Sequence, residues 1–175
     1  MTAEIGAARR ILLIDDNDDI HADYRKILQP PSSTHRGELV AERAALFGEA
    51  DAQHVALPQF SVDSAMQGQA AVELARQACH TGSPHMVAFV DMRMPPGWNG
   101  ITTVQHLWAV DPRIQIVICT AYSDESLDSI ATSLGVCDRF VILKKPFETA
   151  EVQQLALDVG LRGDVIAFHA RETLQ

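Results

Sequence analysis

The stretch ILLIDDNDDIHADYRK, residues 11–26, joins two structural patterns through a cluster of acidic residues. Its first four residues are apolar, and such a short run favours a strand that is covered on both faces. After the cluster come four apolar residues at helical spacing, which would share one face of a helix: Ile20, Tyr24, Ile27 and Leu28. The stretch therefore predicts a strand that leads directly into a helix, with four Asp and one Asn at the junction.

The alternation of strand and helix continues along the chain. Three more apolar runs resemble the first: MVAFV at 86–90, IQIVIC at 114–119 and FVIL at 140–143. The segment QFSVDSA at 59–65 alternates apolar and polar residues, which suits an edge strand. Segments with helical spacing lie between these runs, so we expect an α/β fold with a doubly wound parallel sheet. In such a sheet, ligands bind beyond the carboxyl ends of the strands.

Two segments fall outside this plan. Residues 30–58 separate the first predicted helix from the edge strand, where about two to six residues are usual, and we interpret them as an insertion. Residues 159–175 follow the last predicted helix as a tail or linker helix. We therefore predict a single domain over residues 9–158, which includes the insertion.

The composition limits the partners and the location of the protein. The formal net charge is −9, whereas a nucleic-acid-binding surface needs positive charge to replace counterions along the phosphates. We therefore expect no direct contact with nucleic acid. The first ten residues lack the apolar core of a signal peptide, and no run of about eighteen apolar residues could span a membrane. We expect a soluble, cytoplasmic protein without a membrane partner.

The residues at the carboxyl ends of the predicted strands form a candidate site. They comprise three acids, a hydroxyl and two lysines: Asp15, Asp16, Asp91, Thr120, Lys144 and Lys145. Two carboxylates about 4 Å apart would repel each other by roughly 4 kcal/mol at an effective dielectric of about 20. A divalent cation would relieve this repulsion, and a few hard oxygen ligands with room for water suit Mg²⁺. The pattern indicates phosphoryl chemistry, with one carboxylate as the nucleophile.

The acidic cluster could instead form a calcium loop or cap the helix that follows it. A calcium loop of the EF-hand type needs Gly at its sixth position and Glu at its twelfth, where this chain has Ile20 and Lys26. Helix capping accounts for residues 17–19, because the N–H groups of the first turn and the helix dipole favour anions. Capping does not account for Asp15 and Asp16, which directly follow the strand. These two acids remain for a metal.

Four segments resemble the signature regions of the two-component response-regulator receiver domain, and they occur in the order of that family. The segments are ILLIDDN, VAFVDMRMPPGWNG, VICTAYSD and LKKPF, which begin at residues 11, 87, 117 and 143. The resemblance covers residues 9–158 and implies a flavodoxin-like, five-stranded parallel sheet with strand order 2-1-3-4-5. It implies a bacterial phosphorelay protein that is not an enzyme, beyond accepting and losing its own phosphoryl group.

The resemblance assigns roles to the acidic residues. Asp91 would accept a phosphoryl group from a histidine kinase or a phosphotransfer domain. Asp15 and Asp16 would hold Mg²⁺ together with Asp91 and the backbone carbonyl of Arg93.

The remaining site residues would bind the phosphoryl group and report its presence. The resemblance implies that the hydroxyl of Thr120 binds one phosphoryl oxygen and that Lys145 pairs with another, while the adjacent Lys144 is the alternative. Receivers usually carry an aromatic residue three positions before this lysine, where the chain has Ile142. Phe140 would share the face of Ile142 if no bulge interrupts the strand. Either residue could take the switch role.

The long insertion, together with the segments VDMRMPPGW, CTAYSD and LKKPF, is similar to receivers of larger bacterial sensory proteins that carry histidine-kinase or cyclic-di-GMP domains. An output domain or output protein, and a second copy in a homodimer, are therefore further candidate partners. Two alternative functions stay open. One is a receiver-like interaction scaffold that is never phosphorylated, which is suggested by Ile142 in place of the usual aromatic residue. The second is a haloacid-dehalogenase-like phosphohydrolase, which uses Asp, Thr, Lys and Mg²⁺ but needs a DxDxT-type stretch where this chain has DDNDD.

Overall fold

The structure, a computed structural model, describes residues 9–30, 59–121, 127–135 and 139–159. Its elements are β1 (Arg9–Ile14), α1 (Asp18–Leu28), β2 (Phe60–Ala65), α2 (Gly68–His80), β3 (Val87–Asp91), α3 (Gly100–Val110), β4 (Gln115–Thr120), α4 (Leu127–Leu134), β5 (Phe140–Lys144) and a last helix, α5, over 149–159. Nearly all of the predicted insertion, and the tail beyond residue 159, lie outside the described residues. Within those ranges, none of the helices combines the length and the hydropathy that crossing a bilayer requires.

The five strands form one parallel sheet in the order β2-β1-β3-β4-β5. This order confirms the predicted flavodoxin-like fold, and β2 lies at an edge, as its alternating pattern indicated. The direction of winding reverses between β1 and β3, where Ile14 pairs with Val90. An aspartate follows each of these two residues. Asp15 and Asp91 therefore lie side by side at the point where such sheets bind their ligands.

Helices cover both faces of the sheet. The side chains of a buried strand alternate between the two faces, so both faces are apolar and must be shielded from water. On one face, Leu12 and Ile118 belong to a core formed with α2, α3 and α4. On the other face, Leu13 and Val117 belong to a core formed with α1 and α5. These four side chains are at most 1 % exposed, and burying each contributes about 1.5–3 kcal/mol. The two cores hold the strand ends rigidly in place.

Asparagine side chains cap the N-termini of the two helices that follow the acidic ends of β1 and β3. The side-chain carbonyl of Asn17 accepts the N–H of Asp19 at 2.9 Å, and α1 begins directly after it. Asn99 caps α3 in the same way by accepting the N–H of Thr102 at 2.9 Å. Capping thus accounts for residues 17–19, as predicted. The chain is helical where a calcium loop would have to continue, which excludes that alternative.

The last strand pairs with β4 in regular register, with Ile142 opposite Ile118 and Lys144 opposite Thr120. Because no bulge interrupts this pairing, Phe140 and Ile142 share one face, and both pack against the same core. Which of the two residues takes the switch role stays a prediction.

Near the amino ends of β1 and β3, three side chains form a separate polar cluster. Arg10 donates two hydrogen bonds to one carboxylate oxygen of Asp63. The buried ring of His85 contacts the same oxygen at 2.8 Å. Burial opposes the charge of Asp63, but these partners outweigh it and lower the pKa of its carboxyl group. The cluster ties the edge strand to the centre of the sheet.

Candidate functional site

Three aspartates converge beyond the carboxyl ends of β1 and β3. Asp15 and Asp16 follow β1, and Asp91 is the last residue of β3. One carboxylate oxygen of each lies within 4.8 Å of the corresponding oxygens of the other two. Asp15 and Asp91 are buried, whereas Asp16 is exposed. The structure therefore brings together the three acids that the sequence suggested as metal ligands.

Lys145 bridges two of these carboxylates. Its ammonium donates to Oδ2 of Asp15 at 2.9 Å and to Oδ1 of Asp91 at 2.8 Å. Burial opposes the charge of Lys145, but its hydrogen bonds to Asp91 and Asp15 outweigh this effect and raise its pKa. The ammonium is therefore charged at neutral pH. Lys144, the other candidate, is exposed. That Lys145 binds a phosphoryl oxygen stays a prediction.

The carboxyl group of Asp91 lies in a pocket that disfavours uncompensated negative charge. Burial is the largest cause of its raised pKa, and the charge of Asp15 adds to it. The hydrogen bonds from Lys145 and from the backbone N–H of Arg93, which lies 3.1 Å from Oδ2, act in the opposite direction. The predicted role of the Arg93 carbonyl as a metal ligand stays a prediction.

The loop after Asp91 turns back closely on the acceptor. The N–H of Gly100 donates to the carbonyl of Met92 at 3.1 Å. A Cβ atom at position 100 would lie 2.7 Å from the carbonyl oxygen of Asp91. Only glycine allows this approach without moving the backbone of the acceptor.

Thr120 ends β4 at the same edge of the sheet, where the preceding Cys119 pairs with Asp91. The hydroxyl of the buried Thr120 donates to the carbonyl of Ala121 at 3.2 Å. Its backbone carbonyl accepts the N–H of Lys145 at 2.8 Å, which fixes the start of Lys145 beside the end of β4. The role of the hydroxyl as a phosphoryl ligand stays a prediction.

The donors of this site fit Mg²⁺. The three aspartates offer hard carboxylate oxygens close enough together for one small cation, and the exposure of Asp16 leaves room for coordinated water. The ammonium of Lys145 lies between Asp15 and Asp91, so one oxygen of each of these carboxylates already faces a positively charged group. Asp15, Asp16 and Asp91 are the side chains that would hold the ion.

A cavity of about 10 Å³, roughly the space of one water molecule, adjoins the buried carboxylates. Polar side chains in its wall are Asp15, His21, Tyr24, Asp91 and Cys119. The Tyr24 hydroxyl lies 3.1 Å from the Cys119 sulfur. Burial raises the pKa of the Cys119 thiol to about 12, so the thiol stays protonated at neutral pH.

Sequence reasoning did not identify His21 as part of this site. The predicted apolar face of α1 included Ile20 and Ile27, which are only half-buried, whereas the helix buries His21, Tyr24 and Leu28. The ring of His21 lies 2.7 Å from the backbone oxygen of Asp15. A signal was present, because His21 precedes Tyr24 by three residues and Leu28 by seven, on one helical face.

Comparison with known proteins assigns the chain to a family. The family model of the response regulator receiver domain matches residues 39–157. The chain belongs to this family. The match confirms the resemblance of the sequence motifs, and it argues against a haloacid-dehalogenase-like phosphohydrolase. The matched range contains the acceptor, hydroxyl and lysine positions, while the acidic pair after β1 precedes it.

Solved structures share the fold of this receiver domain. A response regulator receiver domain protein from Clostridium thermocellum has a TM-score of 0.62 at 18 % identity, over 90 % of this chain and 98 % of that one. A receiver protein from Sinorhizobium medicae has a TM-score of 0.59 at 20 % identity, over 89 % and 97 %. A structure named adenylate cyclase, from Rhodopirellula baltica, has a TM-score of 0.64 at 19 % identity, over 95 % and 97 %. At these identities the likeness concerns the fold.

A curated relative is much longer than this chain. The cyclic di-GMP phosphodiesterase of Thermotoga maritima is 30 % identical over 137 residues, which are 78 % of this chain and 34 % of that protein. The chain thus spans about a third of the length of this relative.

Proposed function

We propose that this receiver domain accepts a phosphoryl group on Asp91 in a Mg²⁺-dependent reaction of a bacterial two-component phosphorelay. The contact between Asp91 and the ammonium of Lys145, beside the carboxylates of Asp15 and Asp16, carries the proposal. A carboxylate that is paired with a cation and adjoins metal ligands can act as a nucleophile toward phosphorus. The donor would be a phosphohistidine of a histidine kinase or a phosphotransfer domain.

In the proposed reaction, a carboxylate oxygen of Asp91 forms a bond to phosphorus while the bond from phosphorus to the donor nitrogen breaks. The electron pair of the broken bond goes to that nitrogen. The ring leaves as neutral imidazole because its other nitrogen carries a proton, and Asp91 becomes an acyl phosphate. Mg²⁺ held by Asp15, Asp16 and Asp91 would supply positive charge to the phosphoryl oxygens. Lys145 pairs with one of these oxygens, and the hydroxyl of Thr120 turns from Ala121 to another.

Phosphorylation would bias the conformation of the domain. A phosphoryl group brings a charge of about −2 and new acceptor oxygens, toward which Thr120 and Lys145 can move. The conformation that binds these oxygens better becomes more populated. Because Thr120 ends β4 and Lys145 directly follows β5, the surface formed by α4, β5 and α5 is the one that would change its partner binding.

The receiver would control an output. The greater length of the Thermotoga maritima phosphodiesterase suggests an output domain or a separate output protein as the downstream partner. A second copy of the domain, in a homodimer, is a further candidate for the same surface. The domain itself would act as a phosphoacceptor and not as an enzyme on other substrates, and it would do so in the cytoplasm.

The test is the mass of the intact protein after incubation with acetyl phosphate, with and without Mg²⁺. We expect one phosphoryl adduct on the wild type in the presence of Mg²⁺ and none on the Asp91→Asn variant. An adduct that persists in the variant would refute Asp91 as the acceptor.

The scaffold that is never phosphorylated, suggested by Ile142, predicts a different result. It predicts no adduct on the wild type, and also no response of Trp98 fluorescence to a beryllium fluoride mimic. That pair of results would replace the phosphoacceptor proposal.

A further inference from the structure

The polar groups of Asp15 are held at four points. Its N–H donates to the carbonyl of Ala65 at 3.2 Å. Its carboxylate accepts the N–H of Asn17 at 2.9 Å and the ammonium of Lys145 at 2.9 Å. Its backbone carbonyl lies 2.7 Å from Nε2 of His21. The first three contacts orient the strand end and the carboxylate, and the fourth orients the peptide group that follows.

The ring of His21 must be the donor in this contact, because a carbonyl oxygen can only accept. Nε2 therefore carries a proton. The ring is 2 % exposed, and its Nδ1 atom has no hydrogen-bond partner among the described residues. A buried imidazole that uses one of its nitrogens gives up solvation at the other. Among the described residues, the ring therefore offsets its lost solvation through the hydrogen bond from Nε2 to the Asp15 carbonyl.

The bonded carbonyl belongs to the peptide group between Asp15 and Asp16. A peptide group is planar, so holding its oxygen fixes the direction in which the chain enters Asp16. That direction sets where the exposed carboxylate of Asp16 lies relative to the buried carboxylates of Asp15 and Asp91.

We propose that His21 is a positioning residue of the metal site. Its Nε2–H group holds the Asp15–Asp16 peptide so that the carboxylates of both residues converge on Mg²⁺ with that of Asp91. The inference rests on the proposed function, because it concerns the metal site of that reaction. Outer partners that orient metal ligands typically change metal affinity about 10–100-fold when they are removed.

Two substitutions separate the hydrogen bond from the packing of the ring. His21→Met fills the space with an apolar side chain of similar length, whereas His21→Gln keeps an N–H donor near the position of Nε2. In a Mg²⁺ titration followed by tryptophan fluorescence, we expect His21→Met to bind Mg²⁺ about tenfold more weakly than the wild type. We expect His21→Gln to stay within about threefold of the wild type.

His85→Met is the matched control. His85 is also buried, and its ring also bonds through Nε2, but its partner is Asp63. That cluster includes Arg10, which lies five residues before Asp15 and therefore about 16 Å away along β1. We expect His85→Met to lower the midpoint of thermal unfolding while its Mg²⁺ affinity stays within about twofold of the wild type.

A measurement on the wild type keeps the proposal testable if His21→Met does not fold. Nitrogen NMR of protein labelled at histidine reports which ring nitrogen carries the proton. We expect the Nε2–H tautomer for His21 and a change of its signals on addition of Mg²⁺, with no change for His85.

The outcomes distinguish this inference from the proposed function. Wild-type Mg²⁺ affinity in His21→Met, equal losses in His21→Met and His21→Gln, or an Nε2 atom without a proton would overturn the positioning role and leave the phosphoacceptor proposal standing. A wild type that binds Mg²⁺ but forms no adduct would overturn the phosphoacceptor proposal alone. A wild type that does not bind Mg²⁺ would overturn both.

Discussion

Replacing Lys145 by Met would remove the ammonium that bridges Asp15 and Asp91 and keep most of the side chain's length. In the absence of metal, the three carboxylates of the site would then face one another without this cation. We expect the variant to lose stability without Mg²⁺ and to regain most of it when Mg²⁺ is added.

The magnitude follows from the distances in the site. One carboxylate oxygen of each aspartate lies within 4.8 Å of those of the other two, and two unit charges at that distance repel by roughly 3.5 kcal/mol at an effective dielectric of about 20. The side chains of Asp15 and Asp91 are 9 % and 11 % exposed, so water screens little of this repulsion, but that of Lys145 is 24 % exposed. Relaxation of the exposed Asp16 lowers the cost further. We expect the free energy of unfolding to fall by about 2–3 kcal/mol at neutral pH.

The assay is urea unfolding of the wild type and of Lys145→Met, in a chelator and in saturating Mg²⁺. Lys144→Met is the matched control, since it removes a neighbouring charge that is exposed, and we expect a change below about 0.5 kcal/mol. Metal binding to the folded state should restore Lys145→Met more than it stabilises the wild type, because the ion replaces a missing cation. Equal destabilisation by the two substitutions would refute the bridging role of Lys145.

The effect should also depend on pH in a defined direction. The pKa of Asp91 is raised above its ordinary value of 3.8, so the folded state binds this proton more tightly than the unfolded state. Stability therefore falls as pH rises from the ordinary value through the raised one. Loss of Lys145 would raise the pKa of Asp91 further. The destabilisation of Lys145→Met should thus shrink as pH is lowered toward about 4, and a difference that is constant with pH would contradict the electrostatic cause.

Three further substitutions test the surroundings of the site. Gly100→Ala should destabilise by about 1–3 kcal/mol in urea unfolding and slow phosphorylation by acetyl phosphate, because the new Cβ would displace the backbone of Asp91; wild-type values would contradict this close approach. Tyr24→Phe should cost less than about 1 kcal/mol in the same assay, since it loses the hydrogen bond to Cys119 and keeps its ring contacts. Asp63→Asn should cost about 1 kcal/mol in thermal unfolding at neutral pH. Because the pKa of Asp63 is lowered, its carboxylate contributes to stability above the ordinary pKa of 3.8, and this contribution is lost as pH falls through the lowered pKa. A cost of Asp63→Asn that persists in acid would refute this electrostatic role.

Much of the fold was predictable because strand and helix patterns are local. The apolar runs of β1, β3 and β4 identified strands buried on both faces, and the alternating pattern of β2 identified an edge strand. The buried face of α1 was predicted less well. The helix buries His21 on that face in place of the predicted Ile20, because a ring nitrogen of His21 has a specific partner in the loop before the helix.

The sequence by itself determined which residues lie at the carboxyl ends of the strands. Parallel strands end at one edge of a sheet, so the residue types at those ends are enough to place Asp15, Asp91 and Thr120 together. Only the tertiary structure decided that Lys145 contacts two carboxylates, since a long side chain reaches whichever charge the packing brings near it, here across 130 residues. The contact of His21 with the peptide after Asp15 was likewise decided in three dimensions, because every residue has a backbone carbonyl and its use leaves no mark in the sequence.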